Sequence, residues 1–223
     1  MKNYSLLVPL ALALSACADA PAGLQITSKF TPSATCTAGG ATGTTELATG
    51  LLNVAAGAGY MLGLNVSSTL AFTEIEVSEL PLNSPNENII YISDVELSYD
   101  QPDGEFSIDD DSYSYFASVG GGTFQNAGAQ LFVDLIGPEA AQTLQREAGT
   151  EPVQLDVTVR VVGKTGAGAR VESNGLTFPI YVFNLNTCDA GQEPDPTTGG
   201  PCGQPGGQDN YAVTCRPASA PAP

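Results

Sequence analysis

Residues 153–161 read Val-Gln-Leu-Asp-Val-Thr-Val-Arg-Val, and this stretch decides the fold. Every second residue is valine or leucine, and the residues between them are polar. Because successive side chains of a strand point to opposite faces, this alternation predicts a β-strand with one apolar and one solvated face. The strand therefore belongs to a sheet that covers a core on one side and meets water on the other.

The same alternation of apolar and polar residues recurs along most of the chain. It predicts further strands at 25–30, 60–69, 75–77, 89–99, 113–119, 131–136 and 171–183. Pro179 falls in the last run, and a proline cannot donate a ladder hydrogen bond. We therefore expect that strand to lie at a sheet edge or to bend at a bulge.

One short helix is predicted between the strands. Gly137 and Pro138 precede it, with proline at the first helical position, and Glu139 follows near the positive end of the helix dipole. Arg146 lies near the negative end, and Gly149 closes the helix. The pattern predicts an all-β fold, an antiparallel β-sandwich of immunoglobulin-like topology with one crossover helix. A jelly roll is the alternative, since tryptophan is absent.

Composition and charge exclude several classes of function. The 223 residues include 24 acidic and 7 basic side chains, which gives a net charge of −17, and there is no histidine. A chain without a basic patch cannot make the phosphate contacts of nucleic-acid binding, so we expect no nucleic-acid partner. The lack of histidine removes the commonest general base and metal ligand. We therefore expect no enzyme and no resident cofactor.

The N-terminus has the pattern of an export signal. Lys2 precedes an apolar run at 6–14, which is too short to span a bilayer. The segment Leu14-Ser15-Ala16-Cys17 resembles the lipobox of bacterial lipoproteins. The resemblance implies cleavage before Cys17 and attachment of diacylglycerol to its sulfur, so that acyl chains such as palmitate anchor the protein. Ala18 follows the cysteine, and in this family that favours the outer membrane, on either its periplasmic or its outer face.

The sequence divides into four parts. We assign 1–16 to a lipoprotein signal peptide, 17–50 to a lipid-anchored tether with the first strand, 51–187 to the sandwich domain, and 188–223 to a low-complexity tail. The tail is rich in glycine and proline and cannot fold by its own hydrophobicity. In overall layout the chain is similar to uncharacterised envelope lipoproteins of Gram-negative bacteria, and that likeness implies no activity.

Four cysteines remain once Cys17 carries lipid. They are Cys36, Cys188, Cys202 and Cys215. An exported chain reaches an oxidising compartment, so an even number of cysteines predicts two disulfides. Three pairings are possible; the layout favours Cys36 with Cys188 and Cys202 with Cys215. Metal binding by four thiolates is the alternative, but the chain has no CxxC pair.

Half of the 24 acidic residues lie between Glu74 and Asp111. Within this acidic block, a turn-rich segment carries the candidate calcium ligands Asp100, Asp103, Glu105, Asp109 and Asp111. Clustered carboxylates suit calcium because their mutual repulsion is relieved by a hard cation. The spacing differs from that of an EF-hand, and a solvated acidic loop is the other interpretation.

These observations favour a non-catalytic, membrane-anchored lipoprotein with a binding or structural role, whose partner is an envelope protein or a glycan. The alternatives are a carboxylate-dependent extracytoplasmic hydrolase and a calcium-dependent adhesion module. A buried, close pair of carboxylates would favour the hydrolase.

Four tyrosines in or beside the acidic block form a binding face if exposed together, and are otherwise half-buried strand residues. They are Tyr91, Tyr99, Tyr113 and Tyr115.

Overall fold

The computed structural model describes residues 23–37, 47–71, 74–77, 80–86, 88–104, 107–120, 128–197 and 199–218. Within these residues the chain is mostly β, with one α-helix and a single 3-10 turn. The elements in chain order are β1 (Leu24–Phe30), β2 (Gly50–Asn53), β3 (Met61–Ser68), β4 (Glu74–Val77), β5 (Leu80–Asn86), β6 (Ile90–Asp100), β7 (Asp111–Val119), β8 (Gly128–Asp134), α1 (Pro138–Glu147), β9 (Val153–Thr165), β10 (Arg170–Glu172), β11 (Leu176–Phe183), β12 (Gln192–Pro194) and β13 (Cys215–Pro217).

The larger sheet is built around β9. Its strand order is β2-β11-β9-β6-β7, and β10 pairs with the far end of β9. Along 153–161 the five aliphatic side chains are buried, whereas the polar residues between them are half-buried or exposed. The prediction of a strand with one apolar face is confirmed. All pairs in this sheet are antiparallel except β2 with β11, which is parallel.

The smaller sheet, in the order β1-β3-β8, contributes to the same core. Leu64 of β3 and Leu131 of β8 are buried in one cluster with Val157 and Phe178 of the larger sheet. Burying a side chain of this size contributes about 1.5–3 kcal/mol to stability. Together the sheets curl into a half-barrel around this cluster. Strands β4 and β5 form a separate hairpin.

The helix lies where the sequence places it. It connects β8 of the smaller sheet to β9 of the larger one, so the prediction of a crossover is confirmed. Pro138 is its first residue, and Ala140 and Leu144 bury its inner face. The C-terminal end differs in detail, because Ala148 caps it in an extended conformation and donates its N–H to the Leu144 carbonyl.

The prediction that the strand with Pro179 lies at an edge or bends at a bulge is wrong for β11 as a whole, which is an inner strand without a bulge, but at Pro179 itself β11 pairs on one side only. Pro179 lies opposite Asp156 in an unbroken register with β9. On its other side β11 pairs with β2 from Ile180 to Phe183, beginning directly after the proline. The missing N–H therefore falls outside the doubly paired part of the strand. The sequence pattern gave no strand at 50–53, so this pairing was not foreseen.

Two disulfides are present, but the favoured pairing is wrong. Cys36 bonds to Cys202, and Cys188 bonds to Cys215. Strands β12 and β13 pair in an antiparallel direction with Pro194 opposite Cys215. This pairing brings Cys215 close to the segment before β12, which carries Cys188. Cys202 instead lies beside 33–36, where its N–H donates to the Ser33 carbonyl. The lipobox and Cys17 lie outside the described residues.

Candidate functional site

Of the described acids of the predicted calcium site, Asp100 and Asp111 flank the connection between β6 and β7, and Asp103 and Asp109 lie within it. Asp100 ends β6 and borders a depression of about 340 Å³ that Tyr99, Gly104 and Ile108 also line. Asp111 begins β7 and borders a different depression, of about 410 Å³. Asp110, Glu96 and Arg160, which are not among the predicted ligands, also line this second depression. These carboxylates therefore face two hollows rather than one.

The calcium hypothesis remains a prediction. In the part of the chain that the structure describes, no group of three or more His, Cys, Asp or Glu side chains is placed to hold a metal ion. Asp103 and Asp109 are exposed, and Glu105 lies outside the described residues. The exposure of Asp103 and Asp109 fits the other interpretation, a solvated acidic loop.

Asp111 contacts the first turn of the helix. Its Oδ2 accepts a 3.4 Å hydrogen bond from the Glu139 N–H, and its Oδ1 accepts one of 2.8 Å from the Ser112 N–H. The N-terminal amides of a helix lack partners within the helix, and a carboxylate near them is stabilised by the helix dipole. Asp111 therefore has a structural role in joining β7 to α1.

Three of the four tyrosines bond to the backbone instead of forming a binding face. Tyr99 Oη accepts from the Gly137 N–H at 2.9 Å, and Tyr115 Oη accepts from the Phe132 N–H at 3.1 Å. The Tyr113 hydroxyl donates to the Asp134 carbonyl at 3.0 Å. Burial raises the pKa of Tyr99 and Tyr113 above the ordinary value. Tyr91 is the exposed one, at 54%, so the alternative of half-buried strand residues describes the other three.

Asp134 is the carboxylate with a clearly raised pKa in the described chain. Desolvation by burial raises its pKa, and hydrogen bonds from the Ile136 and Tyr60 N–H groups oppose that shift. Its Oδ1 accepts both bonds, at 2.8 Å from Tyr60 and 3.0 Å from Ile136. The carboxylate thereby closes the turn after β8 and fixes the start of β3.

Tyr60 connects this carboxylate to the C-terminal segment. The ring is fully buried and packs 5.7 Å from the ring of Phe178, and the hydroxyl donates to Asp209 Oδ2 at 2.8 Å. Burial, followed by the charge of Asp209, raises the Tyr60 pKa far above its ordinary value. Gly50 begins β2 beside this hydroxyl, and a Cβ there would approach Tyr60 Cζ to 2.6 Å.

Gln208 and Asp209 are residues that the sequence reasoning missed. Gln208 is only 1% exposed; its Nε2 donates to the Met61 carbonyl at 2.7 Å and its Oε1 accepts from the Met61 N–H at 2.8 Å. Asp209 accepts from the Leu51 N–H at 2.9 Å, and its own N–H donates to the Leu51 carbonyl. The side-chain amide of Gln208 thus pairs with β3 as a neighbouring strand would. Composition carried no signal for either residue.

Comparison with other proteins adds no further assignment. No protein-family model, curated protein or solved structure matches the chain. Among the described residues, no helix has the length and apolarity needed to cross a membrane.

Proposed function

We propose that the chain is a non-catalytic lipoprotein of the bacterial envelope, anchored in the outer membrane through Cys17, with a binding or structural role. The observation that carries the proposal is the use of the cysteines. Cys36, Cys188, Cys202 and Cys215 bond among themselves. A sulfur forms only one disulfide, so Cys17 is the fifth and odd cysteine, and it directly follows Leu14-Ser15-Ala16.

The two disulfides also support an extracytoplasmic location. Such bonds persist in the periplasm and at cell surfaces, whereas cytoplasmic reductants remove them. The signal-like segment before Cys17 supplies a route to that compartment. Ala18 after the cysteine favours the outer membrane. With a net charge of −17, the protein is repelled by anionic lipid, so the acyl chains have to provide the attachment.

For the architecture, we propose an antiparallel β-sandwich of immunoglobulin-like topology. The support is the single core shared by the sheets β1-β3-β8 and β2-β11-β9-β6-β7. The parallel pair of β2 and β11 departs from a purely antiparallel arrangement. The outer face of the larger sheet carries polar residues such as Glu96, Thr158 and Arg160, and this wet face is where we place contacts with an envelope protein or a glycan.

The anchor is tested by replacing Cys17 with serine. We expect the Cys17→Ser protein to leave the membrane fraction and to lack the mass of a diacylglycerol group. Cys202→Ser is the matched control, because it removes a thiol that forms a disulfide and should leave the acyl group and the membrane association in place. A Cys17→Ser protein that sediments with membranes as the parent does would overturn the proposal.

A further inference from the structure

A groove opens between the two sheets where β1 and the first half of β11 face each other. Its volume is about 320 Å³. It is lined by Ile26, Thr27, Ser28, Lys29, Leu47, Ala48 and Leu176. Aliphatic side chains thus come from β1, from the approach to β2 and from β11, and one lysine lies among them.

The groove follows from the pairing of the strands around it. The segment between β10 and β11 contacts β1, since Asn174 Oδ1 accepts from the Ile26 N–H at 2.8 Å and Leu24 pairs with Ser173. A register shift between Ile26 and Ser28 follows at once in β1. Strand β2 covers the edge of β11 only from Ile180 onwards, so Leu176 lies beside the opening.

Lys29 is an unusual residue to find here. Its Nζ lies 4.9 Å from the centroid of the Phe178 ring, which is itself fully buried, and the lysine side chain is half-buried. The ion pairs within the described residues are made by Arg146, Arg170 and Arg216, and Lys29 takes part in none of them. An ammonium held over an aromatic face is attracted by the ring, but it keeps the capacity to bind an anion.

Charge and shape together identify a class of ligand. A groove with four aliphatic and three polar lining residues, one of them a cation, suits a molecule with an aliphatic body and an anionic end. Its volume lies near the lower limit for small-molecule sites, about 300–1,000 Å³, which favours a medium-length acyl chain over a whole phospholipid. In a protein with 24 acids, a carboxylate finds few attractive positions, and the Lys29 ammonium is one of them.

We propose that this groove binds a medium-chain fatty acid, with its alkyl chain against Ile26, Leu47 and Leu176 and its carboxylate at the Lys29 ammonium. The site goes beyond the proposed function and does not depend on lipidation of Cys17. The alkyl chain removes apolar surface from water, and the carboxylate gains a charge-assisted hydrogen bond in a partly desolvated place.

The test compares decanoate with decanol by titration calorimetry. The full chain carrying Cys17→Ser is used, because it needs no detergent that would compete for the groove. We expect decanoate to bind at least about tenfold more tightly than decanol, which is the usual effect of a hydrogen bond to a charged group. Equal affinity for the two probes, or no binding of either, would overturn the proposal whatever the outcome at Cys17.

Two substitutions of Lys29 locate the site. Lys29→Met should remove the preference for decanoate, and Lys29→Arg should keep it. Lys164→Met is the matched control, since Lys164 is an exposed lysine of the larger sheet and its loss should change neither affinity. A Lys29→Met protein that folds and retains the preference contradicts the assignment. If this variant does not fold, the decanoate and decanol comparison on the Cys17→Ser chain decides alone.

Discussion

The sheet body, residues 23–183, and the C-terminal segment, residues 188–218, are stabilised in different ways. Apart from Pro201, all the buried hydrophobic side chains of the described chain lie in the sheet body, the last being Val182. The C-terminal segment instead contributes Gln208, two disulfide sulfurs bonded within it and one bonded to Cys36. A segment too poor in aliphatic residues to make a core can still be ordered by crosslinks and buried hydrogen bonds.

The largest effect is expected from breaking the disulfide that joins the two regions. The Cys36–Cys202 bond spans 166 residues, and the Cys188–Cys215 bond spans 27. In the chain-entropy model, losing the first costs about 5 kcal/mol and losing the second about 3.6 kcal/mol. Two variants, one with both Cys36 and Cys202 replaced by serine and one with both Cys188 and Cys215 replaced, are unfolded in urea to measure the two losses in the free energy of unfolding. If the shorter crosslink contributes more, loop entropy is not what distinguishes the two bonds.

A cavity in the sheet body should cost slightly less. Phe178→Ala removes a fully buried ring that contacts Tyr60, and we expect a loss of about 3–5 kcal/mol in the free energy of unfolding. Tyr181→Ala on the same strand is the matched control, because Tyr181 points to the solvated face and is 38% exposed. Similar losses for the two variants would contradict the assignment of the inner and outer faces of β11.

The corresponding change in the C-terminal segment is Gln208→Ala. It leaves the Met61 N–H and carbonyl without partners in a buried place, so we expect a loss of about 2–3 kcal/mol. Gln192→Ala, at an exposed position of β12, should stay within about 0.5 kcal/mol of the parent. If urea unfolding gives Gln208→Ala the same free energy of unfolding as the parent, water takes the place of the side-chain amide at Met61.

The smallest effect is a difference in pH dependence at Asp134. Burial raises the pKa of this carboxyl in the folded state above 3.8, so the folded state holds the proton more tightly than the unfolded state does. Its contribution to stability is therefore fully present below the unfolded pKa and is lost as the pH rises through the folded value.

Asp134→Asn should remove the part of the loss in stability at rising pH that comes from ionisation of this carboxyl. Urea midpoints measured from pH 3 upwards should fall less steeply for the variant than for the parent. Asp103→Asn, at an exposed turn, is the matched control for the loss of one acidic side chain. Parallel curves for the parent and Asp134→Asn would show that the two backbone amides offset the burial fully.

The helix and most of the strands could be predicted because each has a local signal, whereas β2, β5, β12 and β13 were not predicted. The alternation at 153–161 reflects burial on one face, and Pro138 with Glu139 marks a helix start regardless of what surrounds it. The existence of two disulfides followed from counting cysteines. These features depend on residues close together in the sequence, where periodicity and capping act.

The remaining features depend on contacts between distant parts of the chain. The parallel pairing of 50–53 with β11 joins residues about 130 positions apart, and four residues are too few to show a period. The partners of Tyr99 and Tyr113 are backbone groups near the helix, which no side-chain pattern reveals. Gln208 is a polar residue whose burial depends entirely on where the segment folds back.

The Cys36–Cys202 bond also has a mechanical consequence. A pull on the N-terminal end loads β1 first, and this strand would peel from β3 beginning at Leu24. The covalent link at Cys36 stops the peeling, because beyond it the force passes through sulfur to residue 202. Of the described residues before the bond, 24–36 can be drawn out, roughly 45 Å when fully extended, so the crosslink limits how far a pull on the N-terminal side can unravel the sheet.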